Sequence, residues 1–236
     1  MSGITELQFI TETIHPELFV IEDVIGDNSC LYRCLSNIIY YYSGNDRING
    51  VSLSNNKQVE SFGFSSQKQE KFARELQSKI VQWLFNNRNK VVEEIGITVK
   101  EFIIQTHNLF DDYGYFEGQD EEDIYEYLME EYLERYSKFA GDNLTEEYDR
   151  WGGAPEQYAI SEIFKIPVFI YVYKKYNHKN NKIENGKIRN NKPEKGVRFK
   201  LYQSFGGKYQ NNHNGIHLLY KNTSKCPGHY LCLYKK

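Results

Sequence analysis

Proline, cysteine and long apolar runs are scarce in this chain, and each scarcity removes a class of answer. Only 5 Pro stand among 236 residues, and no Gly/Ser-rich stretch or fixed-period repeat divides the sequence, so one domain spanning 1–236 is expected. Four Cys are too few for a disulfide scaffold. No apolar run reaches the roughly 20 residues that cross a bilayer. The opening stretch, MSGITELQFITETIHPELF, has acidic residues and broken apolar segments where a secretory signal has a basic start and a continuous apolar core. A cytoplasmic, reducing setting with free thiols is expected, so each cysteine must serve as core residue, ligand or nucleophile. A net charge of -3 leaves no global field to draw the protein onto nucleic acid or anionic lipid.

What the chain has in quantity is aromatic surface: 20 Tyr and 14 Phe supply a core that a disordered chain lacks. LFVIEDVI at 18–25 reads as a strand stopped by Gly26, and Gly26-Asp27-Asn28-Ser29 as a turn. From Cys30 on, Leu31, Cys34, Leu35, Ile38, Ile39 and Tyr42 recur at intervals of three and four, which predicts a helix with one buried stripe. Asp27, Asn28 or Ser29 can cap its start. Phe72, Leu76, Ile80, Trp83 and Leu84 predict a second helix from about 67 to 87, preceded by a loop over 44–66. A third is expected within 121–139, and a short one from Pro155, whose missing N–H suits a first turn, to Phe164. VFIYVY at 168–173 reads as a buried central strand. Strands at 198–205, 216–220 and 229–234 follow, with a Lys/Asn-rich hairpin or loop over 174–197 whose Asn185-Gly186 is a turn signal. Helices first and sheet last make an α+β domain with a mostly antiparallel central sheet packed between helical regions.

Cys30 lies where the turn becomes the helix. Its sulfur there faces unpaired backbone N–H groups and the positive end of the helix dipole, which stabilise a thiolate and can hold a developing oxyanion. The bland alternative is a small core residue. GDNSCLYRCL at 26–35 resembles the nucleophile motif of the ovarian tumour (OTU) family of cysteine proteases, with an Asp three before the Cys and Leu-Tyr-Arg after it. YDRWGGAPEQYAISEIFKIPVFIY at 148–171 resembles the family's Trp-Gly-Gly segment, helix and strand, and GHYLCLY at 228–234 its His-aromatic strand. The three blocks come in the family's order and cover the chain from about 18 onward. Residues 44–147 and 174–197 match only as insertions, the first helical.

The resemblance implies a papain-like OTU fold and a thiol-dependent deubiquitinase, with ubiquitin, polyubiquitin or a ubiquitin-like modifier as partner. It implies no cofactor, no metal and no membrane or nucleic-acid partner, and a monomer is expected. Catalysis would fall to Cys30, His229 and Asp27, with the backbone N–H groups of Asp27, Asn28, Ser29 and Cys30 at the oxyanion. For an effector or viral protein the setting becomes the host cytosol. The chain departs from the family at Leu231: many members place Asp or Asn two residues after the His, to orient its imidazole. Asp27 is the substitute that the sequence offers.

His229 opens a strand and is the expected base, because histidine alone titrates near neutrality unperturbed. His217 is its rival. His15, His107, His178 and His213 are expected on loops or helix surfaces. Cys34 is expected in the core, and Cys226 and Cys232 flank His229 at spacings unlike those of zinc knuckles. Trp151 is a core anchor, and Gly152 and Gly153 permit a tight backbone path that could also admit a Gly-Gly tail. Residues 111–149 hold 15 Asp and Glu against Arg135 and Lys138, whereas 174–195 hold eight Lys and Arg against Glu184 and Glu194. Glu130, Glu131 and Glu134 are therefore candidates for a platform that meets a basic ubiquitin face; the alternative is a solvated helix face. A catalytically silent ubiquitin-binding module, or an RNA-binding protein using the Lys/Asn stretch, are the rival functions.

Overall fold

A computed structural model describes residues 6–24, 26, 29–42, 67–110, 120–138, 152–180, 182–189, 192–209, 215–223 and 226–236. The loop expected over 44–66 lies outside them, as do Asp27, Asn28, Trp151 and His213. In chain order the elements are α1 (Glu6–Thr11), β1 (Thr13–Ile14), β2 (Phe19–Glu22), α2 (Cys30–Tyr42) and α3 (Gln67–Asn86). A small hairpin of β3 (Val91–Val92) and β4 (Ile97–Thr98) leads into α4 (Val99–Thr106), α5 (Glu121–Ser137) and α6 (Ala154–Phe164). The sheet strands follow: β5 (Val168–Asn177), β6 (Lys182–Asn185), β7 (Ile188–Arg189), β8 (Lys192–Pro193), β9 (Val197–Phe205), β10 (Ile216–Thr223) and β11 (Cys226–Lys235). No helix among the described residues is long and apolar enough to cross a membrane.

The α+β class expected from the element order is what forms. Six strands pair in the order β1-β9-β5-β10-β11-β2, with β6 added on β5. All pairings in this sheet are antiparallel except β5 with β10. β10 runs beside Val168–Tyr171 only, and β6 takes the edge beside Lys174–Asn177. The Lys/Asn-rich stretch is thus two hairpins, and the turn expected at Asn185-Gly186 is elsewhere. β5 and β6 pair from Lys174↔Asn185 to Asn177↔Lys182, with a turn at 178–180 between them. Gly186 packs against Val197, where a Cβ would come within 2.6 Å of the Val197 side chain.

The core splits across the sheet. On one face, the apolar stripe of α2 (Leu31, Cys34, Leu35, Ile38) joins α3, α4, α5 and α6 over Val168, Ile170, Leu218, Cys232 and Tyr234. The alternation expected for Cys232 with Tyr230 and Tyr234 therefore holds. On the other face Ile21, Tyr171, Phe199, Leu219, Leu231 and Leu233 gather around Phe19. The N-terminal segment closes this second core: β1 pairs with β9 at one edge of the sheet and β2 with β11 at the other. Phe19 then reaches the rings of Phe199 at 6.0 Å, Tyr171 at 5.9 Å and His217 at 5.5 Å.

Several local details differ from sequence expectation. The first strand ends at Glu22, freeing Asp23 and Val24 from the ladder. The β3–β4 hairpin and α4 were not foreseen, although Thr98 and Glu101 form a capping box, with Glu101 Oε2 accepting from the Thr98 N–H at 2.6 Å. α6 ends at Lys165 in the left-handed conformation, φ 56°, before Ile166-Pro167.

His217 lies inside the second core. Its Nδ1 meets Tyr171 Oη at 3.1 Å, its ring stacks on Phe169 at 5.0 Å, and its Nε2 has no partner among the described residues. Burial, with the charge of Lys235 adding to it, pushes its pKa down to about 3. The unfolded chain therefore takes up a proton below the ordinary 6.5 that the folded chain refuses, so stability falls as pH drops from 6.5 toward 3. His217→Phe removes this dependence. The wild-type stability, measured by urea unfolding, should lose about 1.4 kcal/mol more per pH unit than the variant within that window; parallel curves would refute the assignment.

Candidate active site

The first turn of α2 is fixed from behind by the Arg of the Leu-Tyr-Arg motif. Arg33 is buried; its Nε donates to Ser29 Oγ at 2.8 Å, and its guanidinium reaches Gln69 Oε1 and Glu70 on α3. Ser29 is itself buried, and its carbonyl accepts from the Arg33 N–H at 3.0 Å. The residue after it, Cys30, begins the helix with 6% of its surface exposed. Its thiol lies 3.7 Å from the Gly228 carbonyl oxygen.

The strand β11 carries His229. Lys221 is opposite His229 and Thr223 opposite Cys226, so β11 holds one residue more than β10 in between. Gly228 takes φ 74° there, a conformation that a side chain would strain. This bulge places the buried His229 near the start of α2, close enough to Cys30 for the sulfur to raise the imidazole pKa. Residues 199 positions apart are thus brought together. Gly26 passes the Nδ1–Cε1 edge of the ring, with its Cβ position 3.9 Å from both atoms.

The carboxylate at the other ring nitrogen is Asp23, whose Oδ1 lies 2.7 Å from His229 Nε2. Sequence reasoning missed it, because the strand register that places it is not written in the sequence. Glu22 on β2 is opposite Cys232 on β11, so one further step brings Asp23 across from Leu231. Paired residues project to the same face, and so do residues two apart. Asp23 therefore reaches His229 from the neighbouring strand. Asp27 and Asn28 lie outside the described residues.

Electrostatics follow the geometry. Burial disfavours the His229 imidazolium, but the hydrogen bond and charge of Asp23, together with Cys30, outweigh it and raise its pKa to about 9. Burial likewise works against the Asp23 anion, yet the imidazolium, the Val24 N–H and Lys221 hold its pKa below the ordinary value. At neutral pH the imidazole is protonated, with Nε2–H donating to Asp23.

The remaining candidates are placed as follows. His217, the rival base, is in the second core and outside the site. His107 is half-buried rather than on an open surface, with its side chain 6% exposed. Its Nε2 donates to Glu156 Oε1 at 3.1 Å and its Nδ1 accepts from Tyr136 Oη at 2.9 Å. Glu156, wholly buried, also accepts from Tyr132 Oη and the Gly153 N–H, both at 2.6 Å. His15 caps a 3₁₀ turn and His178 pairs with Glu6 on the surface. Gly152 is pressed against the nucleophile helix, its Cβ position 2.6 Å from Leu31 and 3.2 Å from Tyr32. Both glycines thus have packing reasons. Cys34 is in the core, its thiol donating to the Tyr230 carbonyl at 3.3 Å. On α5, Glu130 and Glu134 are exposed, Glu134 lying 3.6 Å from Lys138, and Glu131 is half-buried.

No protein-family model and no curated protein matches this chain. Among solved structures it is similar to the viral OTU domain protease of Qalyub virus, at 16% identity over 93% of this chain and 86% of that one, with a TM-score of 0.46. It is similar to the OTU of Hazara virus bound to ubiquitin, at 13% identity over 93% and 83%, with a TM-score of 0.41. It is also similar to an OTU deubiquitinase from Wolbachia pipientis wMel, at 13% identity over 94% and 91%, with a TM-score of 0.41.

The Asp23 contact has a direct spectroscopic test. In an NMR pH titration, the His229 imidazole should titrate near 9 in the wild type and clearly lower in Asp23→Asn, while Asp27→Asn leaves it in place. The reverse pattern would assign the orienting role to Asp27.

Proposed function

We propose that this chain is an OTU-type thiol isopeptidase that releases ubiquitin by cleaving the amide bond at its C-terminal glycine. The observation that carries the reading is the Cys30–His229–Asp23 constellation: a sulfur at a helix N-terminus, an imidazole whose pKa that sulfur raises, and a carboxylate 2.7 Å from a ring nitrogen. The Cys30 thiolate adds to the glycine carbonyl, and the backbone N–H groups of 27–30 are the expected donors to the oxyanion. His229 passes its proton to the departing lysine amine as the tetrahedral species collapses to a thioester. Water then enters; His229 takes its proton, the thioester is hydrolysed, and the thiolate–imidazolium pair is restored.

The silent-module alternative drew its force from Leu231, which can accept no hydrogen bond. Asp23 supports the catalytic reading by supplying that acceptor from the adjacent strand. None of these steps needs a cofactor.

A ubiquitin probe with a C-terminal electrophile should label the wild type covalently and leave Cys30→Ala unlabelled. Absence of wild-type labelling would sink the proposal. Against a panel of diubiquitin linkages, Asp23→Asn should lower kcat by about 10²- to 10⁴-fold, as expected when an imidazole loses its orienting carboxylate.

The acidic face of α5 enters the same proposal as part of the substrate platform, opposite in sign to a basic ubiquitin surface. Reversing Glu130, Glu131 and Glu134 together to Lys should raise KM for ubiquitin substrates several-fold at unchanged kcat; an unchanged KM would remove α5 from the platform.

A further inference from the structure

The sheet face that holds the first core runs on into a stretch of half-buried polar residues. Val168 and Ile170 of β5 belong to that core, and strand alternation puts Val172, Lys174 and Tyr176 on the same face further along. Register partners share a face, so Lys200, opposite Val172, and Arg198, opposite Lys174, join them from β9. All five are half-buried. At the same level the reverse face is apolar, with Tyr171, Tyr173, Val197 and Phe199 buried in the second core. The two faces of one ladder thus differ completely in charge.

Two of these cations face each other with no anion between them. The Arg198 guanidinium donates to the Val197 carbonyl at 3.2 Å, and Lys174 Nζ to Asn185 Oδ1 at 2.8 Å. Among the described residues neither has a carboxylate within ion-pair distance. Like charges directly opposite weaken a ladder. Lys200, two residues along β9, meets Glu12 Oε2 at 3.2 Å. Around them, residues 174–200 hold ten Lys and Arg against Glu184 and Glu194, and Lys182, Lys187, Lys192 and Lys195 are exposed. The net charge of -3 therefore conceals a strongly cationic local field.

An aromatic ring stands at the end of this row. Ile170 is opposite Gln203 but Tyr171 is opposite Leu201, so Tyr202 is the extra residue of a β-bulge, which re-aims its side chain. The residue is 66% exposed, and its ring lies nearly parallel to that of Tyr220 on β10, with centroids 6.4 Å and planes 13° apart. Tyr220 is opposite Tyr230, and both pack with the first core, so Tyr202 stands on the cationic face. Two residues of strand advance about 6.8 Å. Tyr202, Lys200 and Arg198 thus follow one another at even steps, with Lys174 beside Arg198. At the far end the Tyr176 ring meets the exposed His178 edge-on at 5.3 Å.

We propose that this face binds single-stranded nucleic acid, a function separate from the cysteine chemistry. A base stacks on Tyr202, and successive phosphates of the strand lie along Lys200, Arg198 and Lys174. An exposed ring joined to a row of cations is the composition of a single-strand platform. The planar Arg198 fork suits a phosphate, and a phosphate placed there relieves its repulsion with Lys174. The surrounding lysines raise the local concentration of a polyanion. A duplex keeps its base faces covered, and an anionic bilayer or acidic polypeptide supplies charge without a run of flat rings, so neither employs Tyr202.

The test measures binding rather than turnover. A fluorescein-labelled oligouridylate of about ten nucleotides, within the span of single-strand platforms, is titrated with wild type, Tyr202→Ala, Tyr202→Phe and the Lys174→Gln/Arg198→Gln double variant. Thermal unfolding of each protein is the control. Tyr202→Ala should bind roughly 5- to 100-fold more weakly, the scale of one lost stacked base, and Tyr202→Phe within about twofold of wild type. With three phosphate contacts, log affinity should fall against log salt with a slope of about -2, and the double variant should reduce that slope to about -0.7. Cys30→Ala should bind as wild type does. Unlabelled duplex, phosphatidylserine vesicles and polyglutamate should compete poorly. An affinity indifferent to the Tyr202 ring overturns the platform, as does a preference for any of those three competitors. Loss of binding in Cys30→Ala would move the strand into the cysteine cleft and overturn this face. No binding at about 50 mM salt, where phosphate contacts are strong, also overturns it.

Discussion

The antiparallel pairing of β2 with β11 is the constraint on which the site depends. Three functional groups come from three places: Asp23 just past β2, Cys30 at the head of α2, and His229 near the start of β11. Because β2 is docked on β11 from Phe19↔Lys235 to Glu22↔Cys232, the short link from β2 to α2 has no choice but to deliver the helix N-terminus beside the imidazole. The same pairing lets Asp23 reach the far ring nitrogen. A shift of one residue would turn Asp23 to the opposite face and leave His229 without its anion.

Two histidines on adjacent strands show how far surroundings decide chemistry. His217 and His229 are both buried, and burial alone drives an imidazole toward neutrality. His217, among Phe19, Phe169 and Tyr171, is held to about 3. His229, with Asp23 at 2.7 Å, rises to about 9. The difference lies in the partners: Asp23 together with Cys30 outweighs burial at His229, whereas the charge of Lys235 adds to burial at His217. His107 follows a third course. It joins Tyr136 and Tyr132 to Glu156, and through Glu156 to the Gly153 N–H, tying α4 and α5 to the segment that packs on the nucleophile helix.

Much of this was legible in the chain. Helical periodicity located α2, α3 and α5 to within a residue or two, because each repeats its apolar residues along a buried stripe, and Pro155 marked the start of α6. The strands after Val168 were legible as β-branched and aromatic runs. What escaped was set by contacts remote in sequence. Asn185-Gly186 has the composition of a hairpin turn, but the close approach of Val197 accounts for the glycine instead. His107 gave no sign of burial, since the Glu156 carboxylate that makes burial tolerable comes from another helix. Asp23 looked like one more residue of a strand, because its value lies only in what stands opposite.

The sequence by itself determined the local parts: a turn-to-helix cysteine, an Arg one helical turn later to brace it, a glycine before the histidine, and an α+β order of elements. These are properties of neighbouring residues, set by backbone sterics and periodicity. Which carboxylate meets the imidazole and which histidine is charged were decided by the tertiary structure alone. Each depends on strand register and on a bulge, and register is fixed by packing between segments that the chain keeps far apart.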